Sequence, residues 1–484
     1  MIPKECKRLA EVDFPIAVVS KHSAHEKSVR HGHPSTLHLW WARRPLAACR
    51  SMLMALLLPD PCDKHCPPDF KVKAHDIFKK SMIAGKKPTT DEELRARLLS
   101  FIGDFADWDN SASRPYLEVA RGLVKAAHGE EMPLVVDPFS GGGSIPLEAI
   151  RLGCDAFASD LNPVACLINK VLLEDIPRHG SELAEELRSV ASDVKTAAEG
   201  QLAEFYPRDP DGAYPIAYLW ARTVRCEAPN CGAEIPLVKS YWLCKKAERK
   251  VAMRPKVTRP SKGLPRVEFE IFTPTTEKEV RGGTVSRAKA TCPCCNTVLH
   301  PDRVRALMTS QRGGADTVFD GHGKRVGGAK LSAVVTVRSG EQGRQFRTPT
   351  DRDYQAVWKA QKRLEKVIAE DESNGIVSPV PNETLPLMSG TFNVPLYGVT
   401  TWGDLFAARQ KLTLLTYLRI LKGQKWEKPV TGEVASLALS RFTDICNAYL
   451  LWKVTATQAV HMYSRQALPM VWDYPEPSIF AEAS

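Results

Sequence analysis

Leu134-Val135-Val136-Asp137-Pro138-Phe139-Ser140-Gly141-Gly142-Gly143-Ser144 decides the fold. The apolar triplet reads as a short buried strand that ends on an acid. Three glycines then make a turn, and Ser144 to Leu152 has the pattern of a helix that Gly153 stops. A second short strand, Ala156 to Ser159, ends at Asp160. Asn162-Pro163 follows as an N-cap with proline at the first helical position, opening a helix to about Leu173. This β-α-β-α order implies a parallel sheet. Glycines at such a turn let a ligand approach the backbone with no Cβ in the way, and the next helix offers free N–H groups. Asp160, twenty-three residues beyond Asp137, stands where an acid can hold both ribose hydroxyls. The third glycine of a dinucleotide fingerprint is Pro146 here, and no phosphate-loop Gly-Lys-Ser/Thr motif occurs.

The turn resembles motif I, D-P-F-x-G-x-G, of S-adenosylmethionine (SAM)-dependent amino-methyltransferases. Asp137, Pro138, Phe139, Gly141 and Gly143 match it position by position. The resemblance implies a Rossmann-like α/β methyltransferase sheet. It also implies a cofactor site made of Asp137, Pro138, Phe139, Ser140, Gly141 and Gly143 at the methionine end, with Asp160 and Asn162 toward the ribose.

Outward from the turn, the 484 residues allow two to four domains at roughly 150 residues each. Hydrophobic residues are 43% and charged residues 25%, ordinary for a globular chain. The longest apolar run, Met52 to Leu58, is far short of the ~20 residues of a membrane helix. Met1 to Asp13 lacks the apolar core of a signal peptide, so a cytoplasmic chain is expected. The net charge of +10 is concentrated in one block. Residues 221–350 hold 25 Lys and Arg against 11 Asp and Glu, while the remainder holds 41 against 45. A basic block of this kind suits either a polyanion such as DNA or a solvated basic face.

The same block contains Cys226-x4-Cys231 and, 61 positions later, Cys292-x2-Cys295, with Cys294 between. Paired cysteines in a reducing compartment suit tetrahedral zinc, so Cys226, Cys231, Cys292 and Cys295 are the expected metal ligands. Cys294 is an alternative to either member of its pair. Cys62-x3-Cys66 with His65 reads as a variable loop. Near the N-terminus, Val12 to Ser20 reads as a strand and Ala47 to Leu58 as a helix. Between them lies Trp40-Trp41-Ala42-Arg43-Arg44-Pro45. That segment suits either the lining of an adenosyl or carboxylate pocket, or core aromatics beside surface charge. Trp472 to Pro477 shows no sign of a finished domain.

Several strings together carry a wider resemblance. They are Lys7-Arg8-Leu9-Ala10-Glu11-Val12-Asp13, Glu26-Lys27-Ser28-Val29-Arg30-His31-Gly32-His33, the Trp/Arg segment, the glycine turn, the cysteine pairs, Trp402-Gly403-Asp404-Leu405-Phe406 and Ser464-Arg465-Gln466-Ala467-Leu468-Pro469-Met470-Val471-Trp472-Asp473. In this order they resemble the N-terminal portion of DUF1156-containing adenine-specific DNA methyltransferases with a zinc ribbon, of the anti-phage-associated type. The resemblance implies adenine-N6 methylation, DNA and Zn2+ as partner and metal, and a phage-defence or restriction-modification setting. It implies four regions: residues 1–70 as the DUF1156-like segment, 71–212 as the first half of the cofactor-binding core, 213–345 as the zinc-ribbon insertion that contacts DNA, and 346–484 as a helical region. Motif I does not distinguish DNA from RNA. The base-binding motif [DNS]-P-P-[YFW] of such enzymes is missing, so the catalytic residues are unassigned. In the resembling family that motif follows the Gln-Ala-Leu-Pro-Met segment. A second polypeptide carrying it, truncation, or a non-catalytic DNA-binding or scaffold subunit are the alternatives.

Overall fold

The computed structural model describes residues 2–29, 32–261, 263–338, 340–341, 343–375, 377–426, 428–462 and 467–480. Arg30, His31 and Ser464-Arg465-Gln466 of the resemblance lie outside the described residues. The chain is a mixed α/β structure with several small sheets. It divides into two compact units, Met1–Leu187 with Trp426–Ala438, and Arg188–Lys425 with Leu439–Ser484.

The first unit opens with five helices: α1 (Ile16–Glu26), α2 (Leu46–Leu57), α3 (Pro68–Lys80), α4 (Asp91–Phe105) and α5 (Arg114–His128). Their boundaries follow local chemistry. Thr90 caps α4 by accepting from Glu93 N–H at 3.2 Å, beside three acids in the first turn. Pro115 sits in the first turn of α5, and Gly129 ends it. Leu94, Leu98, Phe101 and Ile102 of α4 and Val119, Ala120, Leu123 and Val124 of α5 recur at helical spacing and fill one core with Phe70 and Phe78 of α3. The strand expected over Val12 to Ser20 is instead the start of α1. Its β-branched residues are mostly exposed; Val19 alone is buried, against Ala47 and Ala106, and Pro15 opens the helix. Tertiary packing overrides strand propensity there.

Next come β1 (Leu134–Asp137), α6 (Ser144–Arg151), β2 (Asp155–Ala158) and α7 (Pro163–Lys170). β1 and β2 pair in parallel, Leu134 opposite Asp155 through Asp137 opposite Ala158. Asn162 caps α7 by accepting from Val164 N–H at 2.9 Å. Arg50 of α2 fixes α6 in place. It is fully buried and meets the equally buried Glu148 at 3.1 Å, while its other nitrogens donate to the carbonyls of Phe105 (2.8 Å) and Ala106 (3.2 Å). Burial pushes the Glu148 carboxyl up, and the guanidinium opposes it. The other face of the two-stranded sheet is uncovered. Leu134 is 62% exposed, and Val136 and Phe157 are each 55% exposed.

A long helix, α8 (Ile176–Leu202), broken at Gly180, leads onward. The second unit contains β3 (Tyr214–Arg225), β4 (Glu234–Leu237), β5 (Trp242–Lys245), β6 (Lys250–Thr258), β7 (Arg266–Phe272), β8 (Val285–Ser286), β9 (Lys289–Thr291), β10 (Val298–Leu299) and α9 (Pro301–Thr309). These are followed by β11 (Thr317–Phe319), β12 (Arg325–Gly328), β13 (Lys330–Val337), β14 (Gln345–Arg347), α10 (Asp351–Ser373) and α11 (Ala408–Gly423). α12 (Pro429–Phe442), β15 (Leu451–Lys453), β16 (Gln458–Val460) and β17 (Asp473–Pro477) complete the chain. The largest sheet runs β14-β13-β3-β17, all antiparallel, with β4 pairing the far end of β3. It joins strands from residues 213–345 to one from 346–484. Within Trp472 to Pro477, Asp473–Pro477 is the edge strand β17, paired with β3. Pro475 and Pro477 are tolerated because β17 lies at a sheet edge. Glu476 holds that edge in place, accepting from Trp220 Nε1 (2.8 Å) and from Arg409 (2.8 Å) in a buried cluster.

Candidate functional site

Two sites emerge, one in each unit, and each is built from its own neighbours. In the second unit, Cys226 follows β3 and Cys231 precedes β4, while Cys292 follows β9 and Cys295 precedes β10. Each hairpin turn thus presents two thiols. Backbone bonds hold both loops: Cys226 N–H donates to Ala233 O at 2.8 Å, and Cys292 N–H to Thr297 O at 2.9 Å. The four Sγ atoms lie within 4.8 Å of one another. Cys226 and Cys295 are 3.5 Å apart and Cys231 and Cys292 are 3.7 Å apart. Thiolates about 2.3 Å from a tetrahedral zinc stand about 3.8 Å from each other, so the cluster can hold a metal ion and is compatible with zinc. Cys294 is not in it. Burial pushes its thiol up to about 12, and its carbonyl accepts from Arg259 at 2.7 Å. Within the cluster, burial raises Cys226 and Cys292, whereas the Thr297 hydroxyl 3.3 Å from Cys295 helps draw that thiol down to about 6.

The basic residues of this unit are less free than the charge count implies. Arg254 pairs with Glu270, Arg303 with Glu227, Arg325 with Glu234, and Lys245 and Lys250 with Glu277.

The first unit holds the glycine turn. Gly141 and Gly143 have φ of +52° and +76°, and a Cβ at either would collide. At Gly141 it would come within 2.6 Å of Trp40 Nε1, and at Gly143 within 2.7 Å of Asn169 Oδ1. Asn169, buried in α7, pins the turn by donating to Ser140 Oγ (3.0 Å) and Gly141 O (3.0 Å). Asp160 accepts from Gly141 N–H (2.9 Å) and Asn162 N–H (2.9 Å), so it ties the turn to the end of β2. Asp137 accepts from Phe139 N–H at 3.2 Å, and the Phe139 ring is 85% exposed.

A cavity of about 260 Å³ opens beside the turn. Asp137, Phe139, Ser140, Gly141 and Gly142 form one wall. Pro138, Gly143, Asp160 and Asn162 do not reach it. The opposite wall comes from the N-terminal segment and includes Glu26, His33, Trp40, Arg43 and Arg44. Glu26 accepts from the N–H groups of Leu46 and Ala47 at 2.8 Å each, at the start of α2, and meets His33 Nε2 at 2.9 Å. Burial raises its carboxyl, but these bonds outweigh that and leave it below the ordinary value. The Trp/Arg segment is thereby clamped against the glycine turn. Sequence reasoning had raised this segment without assigning it. It gave no signal for Asn169, a lone amide in an apolar helix.

The chain's similarities bear on one of these walls. The model of a family described as "Protein of unknown function (DUF1156)" matches residues 13–81. That stretch contains Glu26, Trp40, Arg44 and Arg50, and stops short of the glycine turn and of the clustered Cys226, Cys231, Cys292 and Cys295. No curated protein and no solved structure matches the chain. Among the described residues, no helix is long and apolar enough to cross a membrane.

Proposed function

We propose that this chain is the cofactor-binding and zinc-ribbon part of a SAM-dependent DNA methyltransferase acting on adenine N6. One observation carries the reading. The motif-I turn is held open by Asn169 and Asp160 beside a cavity whose walls carry charges of both signs. The residues fit the amino-acid end of SAM, because Asp137, Ser140, Gly141 and Gly142 line the cavity opposite Arg43 and Arg44, while Gly141 and Gly143 let Trp40 and Asn169 pack against the turn. Asp137, Phe139, Ser140 and Gly141 would hold the methionine end. Asp160, with a free lone pair on each oxygen, would take the ribose hydroxyls, as second-strand acids do. When bound, SAM supplies an electrophilic methyl group on a sulfonium. The chain's own contribution is to bind and orient it; Trp40 and the clamped loop shield one side of the turn from water.

In this reading β1 and β2 are the first strands of a Rossmann-like sheet, further strands would join at its edges, and helices would cover the face that carries Leu134, Val136 and Phe157. Parallel strands are ordinarily covered on both faces. A second polypeptide bearing the [DNS]-P-P-[YFW] loop would supply both the missing strands and the acceptor site. The cysteine cluster would be a zinc ribbon, and the basic unit around it would grip DNA phosphates. The missing acceptor motif favours a second reading, a non-catalytic zinc-containing DNA-binding or scaffold subunit of a defence complex.

Calorimetric titration of the chain with SAM tests the first reading; saturable one-to-one binding is expected, and no heat would refute it. Transfer of isotopic label from SAM to DNA then separates the readings. Label in N6-methyladenine from the chain alone means a complete enzyme. Label only after a partner polypeptide is added means a split one. Binding without transfer in either case leaves the scaffold. DNA affinity should fall steeply between 50 and 200 mM salt, by roughly tenfold or more for each few phosphate contacts; a flat response would remove DNA from the reading.

A further inference from the structure

The cavity beside the glycine turn contains an unbalanced set of charges. Glu26 is already satisfied by two backbone N–H groups and His33. Asp137 is then the acid left to face a ligand. Against it stand Lys27, Arg43 and Arg44, all exposed on the wall, none with a side-chain hydrogen bond or ion pair among the described residues. Arg44 is the best placed. It lies two residues before Leu46, whose N–H Glu26 grips, so its backbone is fixed before any ligand arrives. The buried Cys49 thiol reports the same neighbourhood. Burial raises it to about 12, Glu148, Glu26 and Asp137 add to the rise, and Arg44 opposes them.

Two guanidiniums and the Lys27 ammonium share about 260 Å³ with the Asp137 carboxylate, which suits a ligand end that carries a carboxylate beside an ammonium. The space is below the roughly 300–1,000 Å³ that encloses a whole drug-sized ligand, so it suits only the amino-acid end of a larger one. A planar guanidinium matches a carboxylate through two parallel N–H bonds. We propose that Arg44, supported by Arg43, anchors the α-carboxylate of the cofactor's methionine moiety, so that the N-terminal segment sets the affinity for that end. The inference rests on the SAM reading above and adds a residue that motif I does not contain.

The test compares two ligands on the full chain by calorimetry. S-adenosylhomocysteine keeps the amino and carboxylate groups, and 5′-methylthioadenosine lacks both. The chain should bind the first more tightly. Arg43→Gln/Arg44→Gln should weaken S-adenosylhomocysteine about 10- to 100-fold, the range of a lost charge-assisted pair, and leave 5′-methylthioadenosine unchanged. Arg44→Lys should recover part of the loss. Both arginines are exposed, so the thermal midpoint should not move. Equal weakening of both ligands, or of neither, overturns the assignment. Unchanged S-adenosylhomocysteine affinity with weakened duplex DNA binding also overturns it, and makes the arginines phosphate contacts. If the unaltered chain binds neither ligand, the SAM reading itself fails and takes this one with it.

Discussion

The cysteine cluster and the glycine turn are built on opposite plans. All four thiols come from two hairpin turns, and each turn is complete within a few residues. The cavity beside the glycine turn needs two stretches about a hundred residues apart, residues 26–46 and 137–142. The first plan concentrates its chemistry in one residue type, so spacing alone reveals it. The second divides the work: glycines let Trp40 and Asn169 pack against the turn, while the charged and aromatic wall comes from elsewhere in the chain. Loss of one thiol should therefore disable the first site outright, whereas changes around the second should be graded.

The largest expected effect is at the cysteines. Cys292→Ser should abolish the metal, measured by elemental analysis of the purified chain, and melt the surrounding hairpins. Structural zinc contributes on the order of 10 kcal/mol to small domains. Full retention of one metal per chain would end the parallel between the two plans. Next is Arg50→Met, which leaves the buried Glu148 with Arg151, 3.5 Å away, as its one remaining cation among the described residues. A loss of about 3–5 kcal/mol is expected in denaturant unfolding, with Arg50→Met/Glu148→Leu regaining much of it. A single-variant loss below ~1 kcal/mol would mean that α2 does not hold α6.

Smaller still is Gly141→Ala. The left-handed backbone alone accounts for about 1–2 kcal/mol, and the clash with Trp40 Nε1 adds to it. Pairing it with Trp40→Ala should recover the clash part, so the two changes are non-additive. Strict additivity would show that Trp40 does not rest on the turn. The smallest effect is a pH dependence. The fold keeps Glu26 ionised below the ordinary carboxylate value of 4.5. Its contribution is therefore complete above that value and is lost as pH falls through the lowered one. Glu26→Gln should lower the melting temperature of the first unit at neutral pH, and the gap from the unaltered chain should narrow as the solution is acidified below the ordinary carboxylate range. A gap that stays constant with pH would dissolve the clamp.

Much of the framework was readable in the sequence, for identifiable reasons. β1, β2, α6 and the Asn162 cap carry period, turn and capping signals within a dozen residues, and they lie within a residue or two of where those signals put them. The grouping of the four cysteines, which could hold a metal ion, followed from spacing. What was not readable depends on contacts distant in sequence. Val12 to Ser20 has strand-like residues but becomes part of a helix through its packing against Ala47 and Ala106. The two prolines of Asp473 to Pro477 hide an edge strand whose Glu476 meets Trp220 and Arg409. Asn169 and Glu26 look like ordinary polar residues until the turn and the α2 N-terminus are placed against them.

The uncovered face of β1 and β2 also affects how the purified protein will behave at the bench. Dyes that fluoresce on apolar surface are commonly read as reporters of a molten state. Leu134, Val136, Phe157 and the 99%-exposed Leu161 present such surface on a folded chain. Bright dye fluorescence beside an intact near-ultraviolet dichroism spectrum is thus the expected behaviour of the folded chain, and the first alone is no ground for discarding a preparation.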